Sequence, residues 1–155
     1  MNKGSDLATV VKSIIDDNIY MVLGTADDNG IPWTSPVYFA CQDYINFYWV
    51  SSPIARHSLN ISVRPRISIV IFDSRAPIGT GQGVYMEAQA NELTGPELET
   101  GIQVYSEASI ADGASVWNLE EVIAPAAYRL YKATATGHWV LGREGHPDRR
   151  IQVTF

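Results

Sequence analysis

The strongest constraint on the fold is a series of short strand-like segments that are joined by turns rather than by helices. Residues 19–25 (IYMVLGT) and 45–51 (INFYWVS) are β-branched and aromatic, as expected of buried strands. Residues 27–30 (DDNG) end in Asn-Gly, which accepts the positive φ angles of a hairpin turn. The regular strand–helix alternation of parallel βαβ units is missing, so the pattern predicts an antiparallel sheet.

The other elements fit the same arrangement. A first helix is expected between Ser5, a good N-cap, and Asn18, because apolar residues recur there at helical spacing. Six or more strands in mostly hairpin order, with helices as inserts, predict a closed antiparallel barrel in a single domain of 155 residues. The remaining predicted strands are residues 31–40, 67–73, 83–93, 128–136, 138–141 and 151–155, and the remaining predicted helices are 54–63, 96–108 and 118–123.

Composition excludes several classes of function. The net charge is -6 with only 11 Lys and Arg residues, which argues against a general nucleic-acid binder. Cys41 is the only cysteine, so neither an intramolecular disulfide nor a multi-cysteine metal site can form. The three histidines lie far apart and show no metal-type spacing. No apolar run reaches the roughly 20 residues of a membrane helix, and no signal peptide is seen, so we expect no membrane partner and a cytoplasmic protein.

The segment with the strongest chemical character is 51–58 (SSPIARHS), where a predicted strand meets a predicted helix. Ser52 followed by Pro53 is typical of an N-cap with proline at the first helical position. A helix N-terminus favours an anion because its first N–H groups have no partner within the helix. The pattern indicates either a phosphate site or an ordinary capped helix with exposed basic residues. The side chains that add further donors are Arg56, His57 and Ser58.

Two further features are compatible with a planar ligand. Residues 79–83 (GTGQG) lack the following helix that a dinucleotide loop needs. We interpret them as a flexible connection that lets the backbone of the next strand approach a flat ligand closely. Trp139 lies four residues before Arg143. An exposed aromatic ring beside an arginine is suited to cap a planar ring, with core packing as the alternative.

These motifs and the order of elements resemble the pyridoxamine 5'-phosphate oxidase-like FMN-binding split barrels, over about residues 7–141. The most specific part is 47–72 (FYWVSSPIARHSLNISVRPRISIVIF). There a strand ends in small hydroxyl residues, a basic residue precedes Asn60 by three positions, and VRPRISI opens the next strand. His57 takes the basic position, where the family usually has Lys. The hairpin that contains Gly30 and SPVY is also similar to the family's first two strands.

The resemblance implies a mainly β (α+β) fold, a closed antiparallel six-stranded split β-barrel with peripheral helices, in one FMN-binding domain over residues 1–155. It also implies a homodimer with two FMN sites at the interface. The helix start would bind the phosphate, the strand before it would line the ribityl chain, and the strand after the glycine-rich loop would meet the ring. A Trp from the partner subunit would complete the site. The residues that match these roles are Val50, Ser51, Ser52, Arg56, His57, Ser58, Gln82, Gly83, Val84, Trp139 and Arg143.

The function that the resemblance implies is that of an FMN-dependent oxidoreductase acting on a small molecule, with the flavin ring transferring the electrons. The oxidase's C-terminal substrate motif is only echoed by residues 139–150, so pyridoxamine phosphate is not assigned as the substrate. No residue stands out as a general base, and no metal site is predicted. The alternative is a non-catalytic protein that binds or carries a flavin, a deazaflavin or haem.

Overall fold

A computed structural model describes residues 3–142 and 149–155 of the chain. Most of its elements lie within a few residues of the predicted segments, because hydrophobic periodicity and turn residues mark them strongly. None of the described helices is long and apolar enough to cross a membrane. The elements are α1 (Lys3–Asp16), β1 (Tyr20–Ala26), β2 (Pro32–Tyr38), β3 (Ala40–Gln42), β4 (Asn46–Ser51), α2 (Arg56–Val63), β5 (Arg66–Phe72), β6 (Gly83–Glu92), α3 (Gly95–Ala111), a 3₁₀ helix (Leu119–Glu121), β7 (Arg129–Leu141) and β8 (Arg150–Val153).

The strands form one curled antiparallel sheet in the order β2-β1-β5-β6-β7-β4-β3, and β8 adds a further pairing to β7. The predicted closed six-stranded barrel is therefore wrong in closure and strand number, because residues 3–142 and 149–155 form an open half-barrel with seven strands along its path. The end strands β2 and β3 are neighbours in the chain, on either side of Phe39, and pair with β1 and β4. The first and last strands of this order are therefore joined by the polypeptide chain at Phe39 and not by strand pairing. Pro32 and Pro36 lie in β2 and have no N–H to donate, which suits an edge strand.

The C-terminal region also differs from the prediction. Residues 128–136 and 138–141 were expected to be separate strands, but they form the single long strand β7. The pairing register between β6 and β7 shifts after Glu87, which pairs with Gly137, while Ala88 pairs with Ala135. The shift leaves Thr136 as an extra residue, which is the geometry of a β-bulge. A strand with a bulge bends without ending. The break in the alternation of buried and exposed residues near Thr136 is therefore a bulge and not a turn between two strands.

The main core lies inside the curled sheet and is covered by α1. Val11 and Ile15 of α1 are almost fully buried and pack against strand residues that include Phe47 and Trp49. These side chains follow the i, i+4 spacing of one helix face, which is why the predicted amphipathic helix is found here. Trp49 also stacks on Tyr131, with ring centroids 5.6 Å apart. The core therefore fixes β4 up to the point where the chain leaves the sheet.

A second, smaller core forms between α3 and the outer face of the sheet. Leu98, Ile102 and Tyr105 of α3 pack against Tyr48 and Leu130. The helix approaches the sheet closely at Gly101, where an added Cβ would lie 2.8 Å from Leu93 and 3.1 Å from Leu130. A larger residue at this contact would force the buried Leu93 side chain to shift. Since α3 covers one face of β4 and the main core the other, the end of β4 is held rigidly.

Candidate functional site

The N-cap of helix α2 lies three residues later than the sequence pattern indicates. The predicted cap, Ser52, does not cap it, and the N-cap position is taken by Ala55 in an extended conformation without a side-chain hydrogen bond. The Ser52 hydroxyl instead accepts from the N–H of Ile54 at 3.3 Å, while its carbonyl accepts from the N–H of Ala55 at 3.1 Å. These two hydrogen bonds hold Ser52 and Pro53 in a turn before the helix. The N–H groups of the first turn of α2 therefore have neither a side-chain cap nor a partner within the helix.

His57 joins the start of α2 to the end of β4. Its Nε2 lies 2.8 Å from the hydroxyl oxygen of Ser51, the last residue of the strand. Ser51 is buried and His57 is half-buried. Burial lowers the pKa of His57, because removal from water disfavours the charged imidazolium. Burial thus favours the neutral form of the imidazole beside the Ser51 hydroxyl, and a neighbouring anion would favour its protonation.

Arg56 lies on the other side of the helix start, against the β1–β2 hairpin. Its Cζ atom lies 4.3 Å from the ring centroid of Trp33, within the range of a cation–π contact. The side chain is exposed. Within residues 3–142 and 149–155, its guanidinium makes no hydrogen bond or ion pair. A guanidinium stacked on one face keeps its N–H donors in the ring plane free for an anion.

Ser58, the third predicted donor, is directed inward. It is 3% exposed, and its hydroxyl donates to the Ser52 carbonyl at 2.8 Å. Tyr131 also contacts the Ser58 side chain, and this hydrogen bond opposes the rise in the Tyr131 pKa that burial causes. The hydroxyl proton of Ser58 is therefore used to hold the turn, and its role as a phosphate ligand stays a prediction.

The predicted ribityl-lining residues lie on opposite faces of β4. Ser51 belongs to the buried side, next to His57. Val50 packs against the second core beneath α3, because successive side chains of a strand point to opposite faces. Ser51 and Ser52 therefore adjoin His57 and the start of α2 directly, whereas the side chain of Val50 faces away from Ser51.

The residues predicted to contact the ring lie at the other end of β7. Ser51 pairs with Arg129 at the start of that strand, and Trp139 lies ten residues further on, which is roughly 30 Å of extended strand. Val84 pairs with Val140 at the same far end and is fully buried in the core. The structure therefore does not bring Gln82–Val84 or Trp139 together with Arg56 within one chain.

The side chains at this far end have structural contacts of their own. The Gln82 carboxamide donates to the Leu141 carbonyl at 2.9 Å and accepts from the Leu141 N–H at 3.0 Å, so it acts as a substitute backbone unit in the ladder. Its oxygen also accepts from the N–H of Gly83. Trp139 is half-buried and its ring lies over Gly137, where an added Cβ would clash with the ring. Arg143 lies outside the described residues.

Three residues near the site were not predicted from the sequence. The Asn60 side-chain amide donates to the Thr25 hydroxyl at 3.0 Å, and that hydroxyl donates to the Trp33 carbonyl at 3.1 Å. All three connect α2 to the β1–β2 hairpin. For Asn60 a signal was present in the sequence, because it lies four residues after Arg56 and so shares its helix face.

Similarity to known proteins is clear at the level of the family and the fold. A sequence model of the family described as pyridoxamine 5'-phosphate oxidase matches residues 7–139. A heme-binding protein from Mycobacterium smegmatis aligns with a TM-score of 0.71 at 20% identity, over 93% of this chain and 56% of that protein. This chain thus spans little more than half of that neighbour. The heme storage protein HutZ from Vibrio cholerae gives 0.63 at 22% identity, over 83% of this chain and 89% of HutZ.

A third neighbour carries the family name itself. A Clostridium acetobutylicum protein of the pyridoxine phosphate oxidase family, related to general stress protein 26, gives a TM-score of 0.64 at 12% identity, over 96% of this chain and 94% of that protein. A search of curated proteins found no match. At such identities the solved structures show a shared fold, and the family model covers most of the chain. The chain therefore belongs to the pyridoxamine 5'-phosphate oxidase family.

Proposed function

We propose that this protein binds FMN through the cofactor's phosphate at the start of α2 and acts as a flavin-dependent oxidoreductase. The observation that carries the proposal is the arrangement of free donors at one point of the fold. Arg56 has an exposed guanidinium without a hydrogen bond in the described chain, beside a helix start that no side chain caps. Phosphate fits such a site, because guanidinium and helical N–H groups both favour anions.

His57 and Ser51 extend the same site toward the end of β4. The pair is joined at 2.8 Å and is less exposed than Arg56. A phosphate held by Arg56 at the helix start would therefore meet a hydroxyl and an imidazole on its inner side. We propose that Arg56 and His57 supply the charge and that Ser51 and Ser52 lie along the adjoining part of the cofactor. When bound, FMN would supply the electron transfer, and the protein supplies binding and orientation.

Haem is the rival ligand, because two structural neighbours are named as heme-binding or heme storage proteins. Haem propionates are anions and would also suit Arg56, so the anion site alone does not separate the two. Haem iron further requires an axial ligand such as a His nitrogen. The Nε2 atoms of His57 and His138 are hydrogen-bonded to Ser51 and to the Tyr44 carbonyl. Within the described residues, binding iron through either of these histidines would break an existing hydrogen bond, which favours the flavin.

The two groups of predicted site residues also support a homodimer. Within one subunit His57, next to Arg56, contacts Ser51, which pairs with the start of β7, whereas Trp139 lies near the end of that strand, so we expect a cofactor bound at Arg56 to meet Trp139 only from a second copy. We propose that the chain forms a homodimer with a cofactor site shared between subunits. Light scattering should give twice the subunit mass, and a monomer at micromolar concentration would contradict this part of the proposal.

The function is tested by comparing three ligands on one protein preparation. Calorimetric titration should show much tighter binding of FMN than of riboflavin, which has the same ring and no phosphate. Haem should bind more weakly than FMN and without the spectral shift of axial ligation. Reduction of the FMN-loaded protein by NADH or NADPH, followed by reoxidation, separates an enzyme from a flavin carrier. Equal affinity for FMN and riboflavin would contradict the proposed phosphate site.

A further inference from the structure

One face of α2 is docked on the β1–β2 hairpin by three side chains. Arg56 and Asn60 lie one turn apart on α2 and so share a face of the helix, and Arg64 is the residue that follows its last turn. Asn60, in the middle, is 3% exposed and donates to the Thr25 hydroxyl. Arg64, at the end, donates from Nε and Nη2 to the carbonyls of residues 27 and 28, at 2.6 and 3.0 Å. The hairpin therefore holds the middle and the end of α2 in place.

Trp33 is the hairpin residue that contacts the first of these side chains. Its backbone is fixed by pairing with Thr25 across the hairpin and by the bond from the Thr25 hydroxyl to its carbonyl. Its ring lies 4.3 Å from the Arg56 Cζ atom. The contact uses the face of the guanidinium and leaves its in-plane donors free.

Holding Arg56 in this way has a consequence for binding. A free arginine side chain has many rotamers, and ordering it on binding costs conformational entropy. A side chain that is already stacked on a fixed ring loses less freedom when a ligand arrives. Trp33 is also 41% exposed, so little of the hydrophobic core depends on its ring.

We propose that Trp33 is a positioning residue that holds the Arg56 guanidinium ready for the phosphate of a phosphomonoester ligand. This inference rests on the proposed function, because it concerns the same anion site. Trp33 acts through Arg56 and not by contact with the flavin ring. Its effect should therefore appear only with ligands that carry a phosphate and only while Arg56 is present.

The test measures FMN and riboflavin affinity for the wild type, Trp33→Leu, Trp33→Phe, Arg56→Ala and the Trp33→Leu/Arg56→Ala double variant. Trp33→Leu should weaken FMN binding about two- to fivefold, the value of an exposed cation–π contact, and leave riboflavin binding unchanged. Trp33→Phe keeps an aromatic face and should recover part of the loss. In the Arg56→Ala background, Trp33→Leu should have no further effect.

The outcomes separate this inference from the proposed function. If the wild type prefers FMN but Trp33→Leu weakens both flavins equally, or still acts without Arg56, only the positioning role is overturned. If the wild type binds both flavins equally, the phosphate site is overturned and the inference with it. Melting temperatures check folding. Should Trp33→Leu be destabilised, the Trp33→Phe and Arg56→Lys pair gives the same coupling measurement.

Discussion

The two ends of helix α2 use the same residue type in opposite ways. Arg56 at its start and Arg64 just after its end are both exposed and both approach the β1–β2 hairpin. The Arg64 guanidinium is hydrogen-bonded to two backbone carbonyls. The Arg56 guanidinium is stacked on Trp33 and, in the described chain, has no hydrogen bond. Exposure and charge do not distinguish the two residues, whereas the use of their N–H donors does.

This difference indicates which end can bind a ligand. A carbonyl-bound guanidinium must give up existing hydrogen bonds before it can bind an anion, and each bond to a charged group is worth about 1.5–3 kcal/mol. A stacked guanidinium gives up nothing. The C-terminal end of a helix also carries a partial negative charge that disfavours anions. We therefore expect ligand binding at the Arg56 end and a structural role at the Arg64 end.

The largest expected effect comes from removing Arg56. Arg56→Ala should weaken FMN binding by about 1.5–3 kcal/mol, the value of a hydrogen bond to a charged group, and leave riboflavin binding nearly unchanged. Titration calorimetry measures both. Arg66→Ala is the matched control, because it removes the same charge from an exposed side chain beyond the opposite end of α2. The Arg66 guanidinium lies 4.0 Å from the Glu87 carboxylate. A similar loss in both variants would show a general charge effect instead of a site.

Removing Arg64 should affect folding and not binding. Arg64→Ala loses two hydrogen bonds between α2 and the hairpin turn. Because these bonds are exposed to solvent, we expect a loss of about 1 kcal/mol in the free energy of unfolding, at the lower end of the usual range. Denaturant titration measures it. The ratio of FMN to riboflavin affinity should stay at the wild-type value, and a selective loss of FMN affinity would mean that both ends of α2 contact the phosphate.

The sequence predicted the elements around this helix better than the helix start itself. The strands that flank α2 could be predicted because β-branched and aromatic runs and the Asn-Gly turn depend on local chemistry. The start of α2 could not, because Ser52 and Pro53 form a cap signal in isolation but are used in a turn held by the Ser58 hydroxyl. A bond between residues six apart competes with the local preference, and spacing alone does not show which will win.

Contacts between distant parts of the chain were also beyond sequence reasoning. Trp33 and Arg56 meet because β2 is paired with β1 and α2 docks across the hairpin. Nothing in either segment alone marks the contact. Gln82 was predicted to lie near a flat ligand, yet its amide completes the β6–β7 ladder through Leu141. In both cases the residue type shows which interactions the side chain can make, while the fold determines which partner it contacts.

The smallest expected effect concerns the proton on His57, at the Arg56 end of the helix. In the free chain burial lowers the pKa of His57 below its usual value of about 6.5. A bound phosphate dianion favours the imidazolium and should raise that pKa. FMN binding should then take up a proton at pH values between the two. The contribution of His57 to FMN affinity should be greatest below the lower pKa and should fade as pH rises through the higher one.

Calorimetric titration of FMN at about pH 6.5, in buffers with different enthalpies of ionisation, measures this proton. The phosphate's own second ionisation, near pH 6, acts in the opposite direction but is common to all variants, so the comparison is between proteins. His57→Gln keeps a polar end that can bond to Ser51 and cannot titrate, so its FMN binding should take up less proton than that of the wild type.

His138→Gln is the matched control, because burial also lowers the pKa of His138, which is bonded to the Tyr44 carbonyl. Since the folded chain disfavours the charged form of His57, its stability should fall as pH drops below about 6.5, and less so in His57→Gln. Equal proton uptake by the wild type and His57→Gln would place the phosphate away from this histidine, and Arg56 would then hold the anion alone.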